Sequence, residues 1–239
     1  MMLLVSAVVA LPQAVKIPTV LDGIYSPAQA ARGKIAFETS CASCHKANLE
    51  GFSGPPLKGQ LFLDRWREFR ADVLYDLIKT SMPKDAAAPL GEAAYLDIFA
   101  YLLQANEIPP GSTELKAPVL GRTLLVGKDG PKPLPSSSQV GVVGCLTLEV
   151  GTGWFLKGAV EPFRIVDGFE ITAAEVEEAR RMPLGDLLFR LQDATDLPNI
   201  VLRDWENGKV EVKGILVRQA NGARINVTAL KLARPGCSE

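Results

Sequence analysis

The stretch Cys41-Ala42-Ser43-Cys44-His45 follows the C-x-x-C-H pattern of covalent haem attachment. Its two thiols have the spacing that meets the two vinyl groups of a haem, and the next side chain then lies beneath the iron. His45 is the only histidine among the 239 residues. If His45 is the proximal ligand, no second histidine can bind the other face of the iron. That face then carries a methionine or a weaker donor, or it stays open.

Two other interpretations of these cysteines are weaker. A zinc site would need a second pair of Cys or His ligands, but Cys145 and Cys237 are far apart in the sequence and no other histidine exists. A thioredoxin-like thiol pair typically follows a strand, whereas an amphipathic helix is predicted before Cys41. Haem attachment is therefore the prediction.

The composition allows two domains and gives no sign of a polyanionic partner. The chain carries 26 basic and 27 acidic side chains, and 47% of its residues are hydrophobic. We therefore expect no nucleic acid partner.

The apolar segment 1–14 resembles the central region of a secretory signal, although a positive start is missing. About a dozen apolar residues are too few to span a bilayer. We expect a signal peptide or leader over residues 1–25, a periplasmic or otherwise exported protein, and membrane association only if the leader is uncleaved.

Helical signals dominate residues 26–118. The opening Ser26-Pro27-Ala28-Gln29 combines an N-cap, a proline suited to the first turn and a glutamine at the capping-box position, which predicts a helix ending near Thr39. Apolar residues at helical spacing predict one or two helices over 61–80. A stripe at i, i+3, i+4 and i+7 predicts another over 92–105. The first domain is therefore expected to be all-α.

The second half has the pattern of a β domain. Residues 119–138 are expected to be a linker, because their later part is rich in Gly, Pro, Lys and Ser. Residues 139–239 then predict a mostly β domain with one short helix over 172–181. Its expected strands are 140–148, 154–160, 210–217 and 224–232. This layout weakly resembles OB-like small barrels, with no catalytic motif and without the basic, aromatic groove that oligonucleotide binding needs.

The first half resembles a class I, or mitochondrial-type, c-type cytochrome over residues 26–108. The resemblance rests on Gly33 and Phe37, Cys41-Ala42-Ser43-Cys44-His45, Gly54-Pro55-Pro56-Leu57, Thr80-Ser81-Met82-Pro83 and the segment Asp97–Leu102. In that family the first and last helices cross at a small residue and an aromatic. The resemblance therefore implies that Gly33 and Phe37 pack on Phe99, Tyr101 and Leu102.

The same resemblance implies a haem site with one covalently attached haem c per chain. Cys41 and Cys44 would form the thioethers, and His45 would be the proximal iron ligand. The other ring nitrogen of His45 would donate to the Pro55 carbonyl. Met82 would be the distal ligand.

The choice of Met82 also has a physical basis. A thioether sulfur is a soft donor, and Met/His ligation raises the reduction potential of haem iron. Pro83 fixes the backbone just after Met82. The rival is Met182, which is also followed by proline but lies in a charged stretch beyond the linker; Met82 could also be simple core. Four residues are expected to form walls of the haem crevice, as generic core rather than as a specific electron path: Leu57, Phe62, Trp66 and Leu77.

The two remaining cysteines are expected to form a disulfide. Once Cys41 and Cys44 are bound to haem, Cys145 and Cys237 are the thiols left over, and an oxidising compartment favours their pairing. Cys145 lies in the first expected strand and Cys237 follows the last, and these strands are often neighbours in a closed barrel. The alternative is two unpaired cysteines.

These features predict an electron-transfer protein, not an enzyme. It would accept single electrons from a dehydrogenase and pass them to an oxidase or another cytochrome, as a carrier or as the haem subunit of a larger assembly. A haem-based sensor is one alternative. A peroxidase-like enzyme is the other, but that chemistry needs an open iron and distal acid–base groups, and no second histidine exists.

Overall fold

The computed structural model describes residues 17–84, 90–220 and 222–237. Its first half is helical, as predicted. The helices are α1 (Pro27–Ser40), α2 (Ala42–His45), α3 (Gln60–Trp66), α4 (Ala71–Ser81), α5 (Glu92–Ala105) and α6 (Ala117–Leu120). The predicted segment 61–80 is thus divided into two helices, while α5 has the predicted bounds.

The start of α1 agrees with its N-cap but not with a full capping box. Ser26 Oγ accepts a hydrogen bond from the Gln29 amide at 3.1 Å. The Gln29 side chain does not return this bond, because it pairs with the backbone of Leu115 instead. Its Nε2 donates to the Leu115 carbonyl at 3.2 Å, and its Oε1 accepts from the Leu115 amide at 2.7 Å. The capping-box role predicted for Gln29 is therefore wrong, since a distant chain segment takes the amide.

Helices α1 and α5 cross in close contact at Gly33. A Cβ atom added to Gly33 would lie 1.8 Å from the Asp97 carbonyl oxygen, so only glycine permits this approach. One turn later the Phe37 and Tyr101 rings pack with centroids 5.4 Å apart. Phe99 was expected to join this contact, but it belongs to the larger hydrophobic core and packs edge-on against Tyr75.

The second half is a β domain. Its elements are β1 (Gln139–Glu149), β2 (Gly153–Ala159), β3 (Phe163–Arg164), α7 (Ala173–Arg181), β4 (Leu187–Gln192), β5 (Lys209–Gln219) and β6 (Gly222–Arg234). Thr172 and Glu175 form both bonds of the capping box that begins α7. The prediction of a mostly β domain with a short helix is confirmed, although β4 was not predicted.

Five strands of this domain form a closed ring. The pairing runs β1–β2–β4–β6–β5 and returns to β1, and only β4 and β6 are parallel. A ring in which every strand has two neighbours is a small barrel, because it leaves no free sheet edge. The barrel interior is apolar and includes Val142, Leu156, Val212 and Ile225.

The helical domain and the barrel are joined through backbone pairing. Segment 68–71 lies between two extended segments. On one side the Arg164 amide of β3 donates to the Glu68 carbonyl at 2.6 Å. On the other side Arg70 pairs with Leu124. The two domains also share one continuous hydrophobic core.

This junction shifts the boundaries that the sequence suggested. Residues 17–25, expected to be part of a leader, are packed into the fold. The Val20 amide donates to the Leu124 carbonyl at 3.0 Å, and the Tyr25 hydroxyl donates to the Ile108 carbonyl at 2.6 Å. The start of the expected linker is also core, because its apolar side chains are buried: Leu120, Leu124, Leu125 and Val126. The rest of the expected leader, residues 1–16, lies outside the described residues. Among the helices of the described part, none combines the length and apolar character needed to cross a membrane.

Candidate haem site

The two cysteines of the motif are presented at the junction of α1 and α2. The Cys41 amide ends α1 by donating to the Phe37 carbonyl at 2.8 Å, and the Cys41 carbonyl accepts from the His45 amide at 3.0 Å. Both thiols are free; Cys41 is half-buried and Cys44 is exposed. Burial, with a smaller contribution from Cys44, raises the pKa of the Cys41 thiol to about 11. Both side chains are therefore available for thioether bonds.

The imidazole of His45 is held in one orientation. The ring is buried, and its Nδ1 lies 2.8 Å from the Pro55 carbonyl oxygen, which fixes Nδ1 as the donor. No described residue hydrogen-bonds to Nε2. Gly54 lies against the ring, and a Cβ atom there would approach His45 Cε1 to 2.6 Å. The ring thus presents its free Nε2 as a ligand atom, so His45 fits the role of an axial ligand in a haem site.

Backbone hydrogen bonds fasten the loop that carries Pro55 to the motif. The Gly54 amide donates to the Cys44 carbonyl, and the Gly51 amide donates to the His45 carbonyl, both at 3.0 Å. The loop therefore cannot shift without moving the imidazole as well.

Asn106 fastens the far end of the same loop, and sequence reasoning did not single it out. Its Nδ2 donates to the carbonyls of Leu57, at 3.0 Å, and Leu102, at 2.8 Å. Its Oδ1 accepts from the Gly59 amide at 3.0 Å. The available signal was an asparagine directly after a helix, a position where such side chains often bind nearby backbone.

Met82 is placed immediately after α4. Its amide donates to the Ile78 carbonyl at 3.0 Å, and its carbonyl accepts a bond from the Tyr95 hydroxyl at 2.7 Å. Met182 is buried in the second domain, where its carbonyl accepts from Lys209. Hydrogen bonds therefore hold the backbone of Met82 at both its amide and its carbonyl.

The expected crevice walls occupy different environments. Leu57 packs against both hydrophobic clusters of the structure. Phe62 is buried in the core shared with the barrel, and the half-buried Trp66 packs against this core. Leu77 is 40% exposed. A compact cluster packs against Cys41 and Ala42: Phe37, Leu49, Ile98, Tyr101 and Leu102.

Cys145 and Cys237 lie away from this site, on the barrel. The structure joins them by a disulfide with a Cα–Cα distance of 5.9 Å, inside the usual range of about 4.4–6.8 Å. The pairing in protein from its native compartment stays a prediction.

The helical fold and the Cys41–His45 site support a class I c-type cytochrome domain over residues 28–102. This segment matches a family model described as cytochrome C oxidase, cbb3-type, subunit III. The match covers about a third of the chain. Comparisons with curated proteins and with solved structures found no significant match.

A domain of this class implies covalently attached haem c and supports an electron-transfer role with redox partner proteins. Such domains are typically exported. The geometry of His45, Gly54 and the two free thiols fits this cofactor.

Proposed function

We propose that the chain is an exported mono-haem c-type cytochrome that transfers single electrons. It acts as a carrier or as the haem subunit of a dehydrogenase or respiratory assembly. The observation that carries this proposal is the fixed His45 imidazole with its free Nε2, which lies four residues after the free thiol of Cys41 and directly after that of Cys44.

Each residue of the proposed site has one task. Cys41 and Cys44 hold haem c through thioether bonds, and His45 binds the iron through Nε2. The Pro55 carbonyl keeps the proton on Nδ1 and strengthens the imidazole as a donor. Met82 is the distal ligand, and its soft sulfur stabilises the reduced iron. The haem supplies the one-electron chemistry of its iron.

The partners of this protein are a one-electron donor of the dehydrogenase class and an acceptor that is an oxidase or another cytochrome. The similarity to a subunit of a cbb3-type oxidase supports a respiratory setting. The apolar start of the chain supports export. The proximity of Cys145 and Cys237 supports an oxidising compartment.

Mass spectrometry tests the covalent cofactor. Mature protein should exceed the mass of its processed chain by one haem, and the pigment should remain with the protein after acid–acetone extraction. A haem that extracts would refute a c-type site. Cys41→Ala combined with Cys44→Ala should abolish the attachment.

Absorption spectroscopy tests the distal ligand. The oxidised protein should show the weak near-infrared band of methionine–iron coordination, and Met82→Ala should remove this band and lower the potential. Met182→Ala is the matched control and should leave both unchanged. Loss of the band in Met182→Ala instead would make Met182 the ligand. Ready binding of carbon monoxide by the wild-type protein would favour a gas sensor or an enzyme.

A further inference from the structure

The hydroxyl of Tyr95 bridges two separate points of the main chain. It donates to the Met82 carbonyl at 2.7 Å and accepts from the Leu90 amide at 3.3 Å. The ring is only 2% exposed, so water does not compete for these bonds. Tyr95 belongs to the first turns of α5, which is held against α1 at the Gly33 crossing. The bridge therefore ties the Met82 backbone to a helix that packs closely against α1.

We propose that Tyr95 is a positioning residue for the distal ligand, and this inference rests on the proposed function in which Met82 binds the iron. The Met82 amide is fixed by the end of α4, and the Met82 carbonyl is fixed by Tyr95. Both bonds flank the Cα atom that carries the sulfur. They limit where the sulfur can lie before it binds.

This positioning matters because of the chemistry of methionine. Its side chain has three rotatable bonds and adapts to many shapes. A ligand that is not held in place loses that freedom when it binds, and this loss weakens the bond. Tyr95 removes part of this cost in advance, by holding the backbone of Met82 in the position that binding requires.

A competing explanation is that the hydroxyl merely finds a convenient partner on burial. The hydroxyl of Tyr75, on α4, is buried without a hydrogen-bond partner among the described residues. A buried tyrosine hydroxyl of this protein therefore does not always find a partner. The Tyr95 hydroxyl instead contacts the backbone of the proposed ligand itself. The two explanations predict different effects on ligand exchange at the iron.

The test is a titration of oxidised holoprotein with imidazole, which competes with methionine for the iron. Tyr95→Phe removes one oxygen atom and should raise the apparent affinity for imidazole about fivefold, as expected for one lost hydrogen bond of about 1 kcal/mol. The near-infrared band should be lost at correspondingly lower imidazole concentration. Tyr101→Phe is the matched control, because Tyr101 lies on the same helix and no described residue hydrogen-bonds to its hydroxyl.

The outcomes separate this inference from the proposed function. If the wild-type protein lacks the methionine band, the ligand assignment itself is wrong. If the band is present and Tyr95→Phe binds imidazole like wild type, even with lower overall stability, Tyr95 has only a structural role. Should Tyr95→Phe fail to accumulate with haem, amide exchange on the wild-type protein provides the test. Protection of the Leu90 amide should fall when imidazole displaces methionine, and unchanged protection would overturn the inference.

Discussion

Replacing Glu211 with glutamine should stabilise the protein at neutral and alkaline pH. Glu211 lies on β5, is 0% exposed, and has no hydrogen-bond partner for either carboxylate oxygen among the described residues. Arg70 of the helical domain approaches it, with Nη1 3.6 Å from the carboxylate. The other charged groups around it are Asp72, Glu175 and Lys213, of which the last two pair with each other at 2.9 Å. Burial therefore dominates, and it raises the pKa of Glu211 to about 7.

The sign and size of the effect follow from this shift. A carboxyl whose pKa is higher in the folded state binds its proton more tightly there than in the unfolded chain. The folded state is favoured most below pH ~4.5, and this contribution is lost as pH rises towards 7. A shift of this size corresponds to about 3 kcal/mol in total, of which about 2–3 kcal/mol is lost between roughly pH 5 and 8. Glutamine stays neutral and avoids this loss.

The assay is urea unfolding of the holoprotein across roughly pH 5 to 8, followed by far-ultraviolet circular dichroism. The free energy of unfolding of Glu211→Gln minus that of wild type should increase by about 2–3 kcal/mol over this range. The difference isolates Glu211 from other groups, including Asp72, whose pKa is also raised by burial. Glu161→Gln removes an exposed charge from the same domain and serves as the control. A difference that is independent of pH, or a variant less stable than wild type at pH ~8, would refute the reasoning.

Three further changes test the helix crossing, the loop anchor and the disulfide. Gly33→Ala should lower the free energy of unfolding by about 2 kcal/mol or more, because the added Cβ meets the backbone of α5. Gly91→Ala is the control, because nothing lies within 4 Å of its added atom, and it should leave the free energy of unfolding unchanged. Equal thermal midpoints for the two variants would contradict this expectation. Asn106→Ala removes three hydrogen bonds and should cost about 3 kcal/mol in urea unfolding, so a cost under about 1 kcal/mol would show that the loop holds itself. Non-reducing peptide mapping should recover Cys145 linked to Cys237, and free thiols at both positions in native protein would exclude the bond. Replacing both cysteines by alanine should lower the free energy of unfolding by about 4–5 kcal/mol, as the chain-entropy model gives for a separation of 92 residues.

Elements of the fold that a local sequence pattern determines were predicted, whereas those that depend on a tertiary contact were missed. Helix α5 was predicted with its observed bounds, because its apolar stripe repeats at helical spacing over the whole length. The strand β4 was missed, since a short segment of six residues becomes a strand only by pairing with β2 and β6. The role of Gln29 was wrong for the same reason, because its partner Leu115 is 86 residues away.

The outer face of β5 shows most clearly what a periodic pattern cannot reveal. Lys209, Glu211 and Lys213 alternate with apolar residues, and such alternation is typical of a strand with one face in water. All three are buried at 3% exposure or less. Helix α7 covers this face, and Arg70 reaches it from the other domain. No local signal in the sequence predicts that cover.

This buried charged layer also bears on the role of the barrel. Arg70 is the N-cap of α4 and Met82 is its C-cap, so the two are separated by one helix of 11 residues. A helix of that length is about 16 Å long. The N-terminal end of α4 is held by the ion pair between Arg70 and Glu175 at 3.0 Å and by pairing with the barrel-linked segments. The C-terminal end carries the proposed distal ligand. The barrel domain therefore contacts the N-terminal end of the helix that precedes Met82, and the Tyr95 hydroxyl contacts the backbone at its C-terminal end.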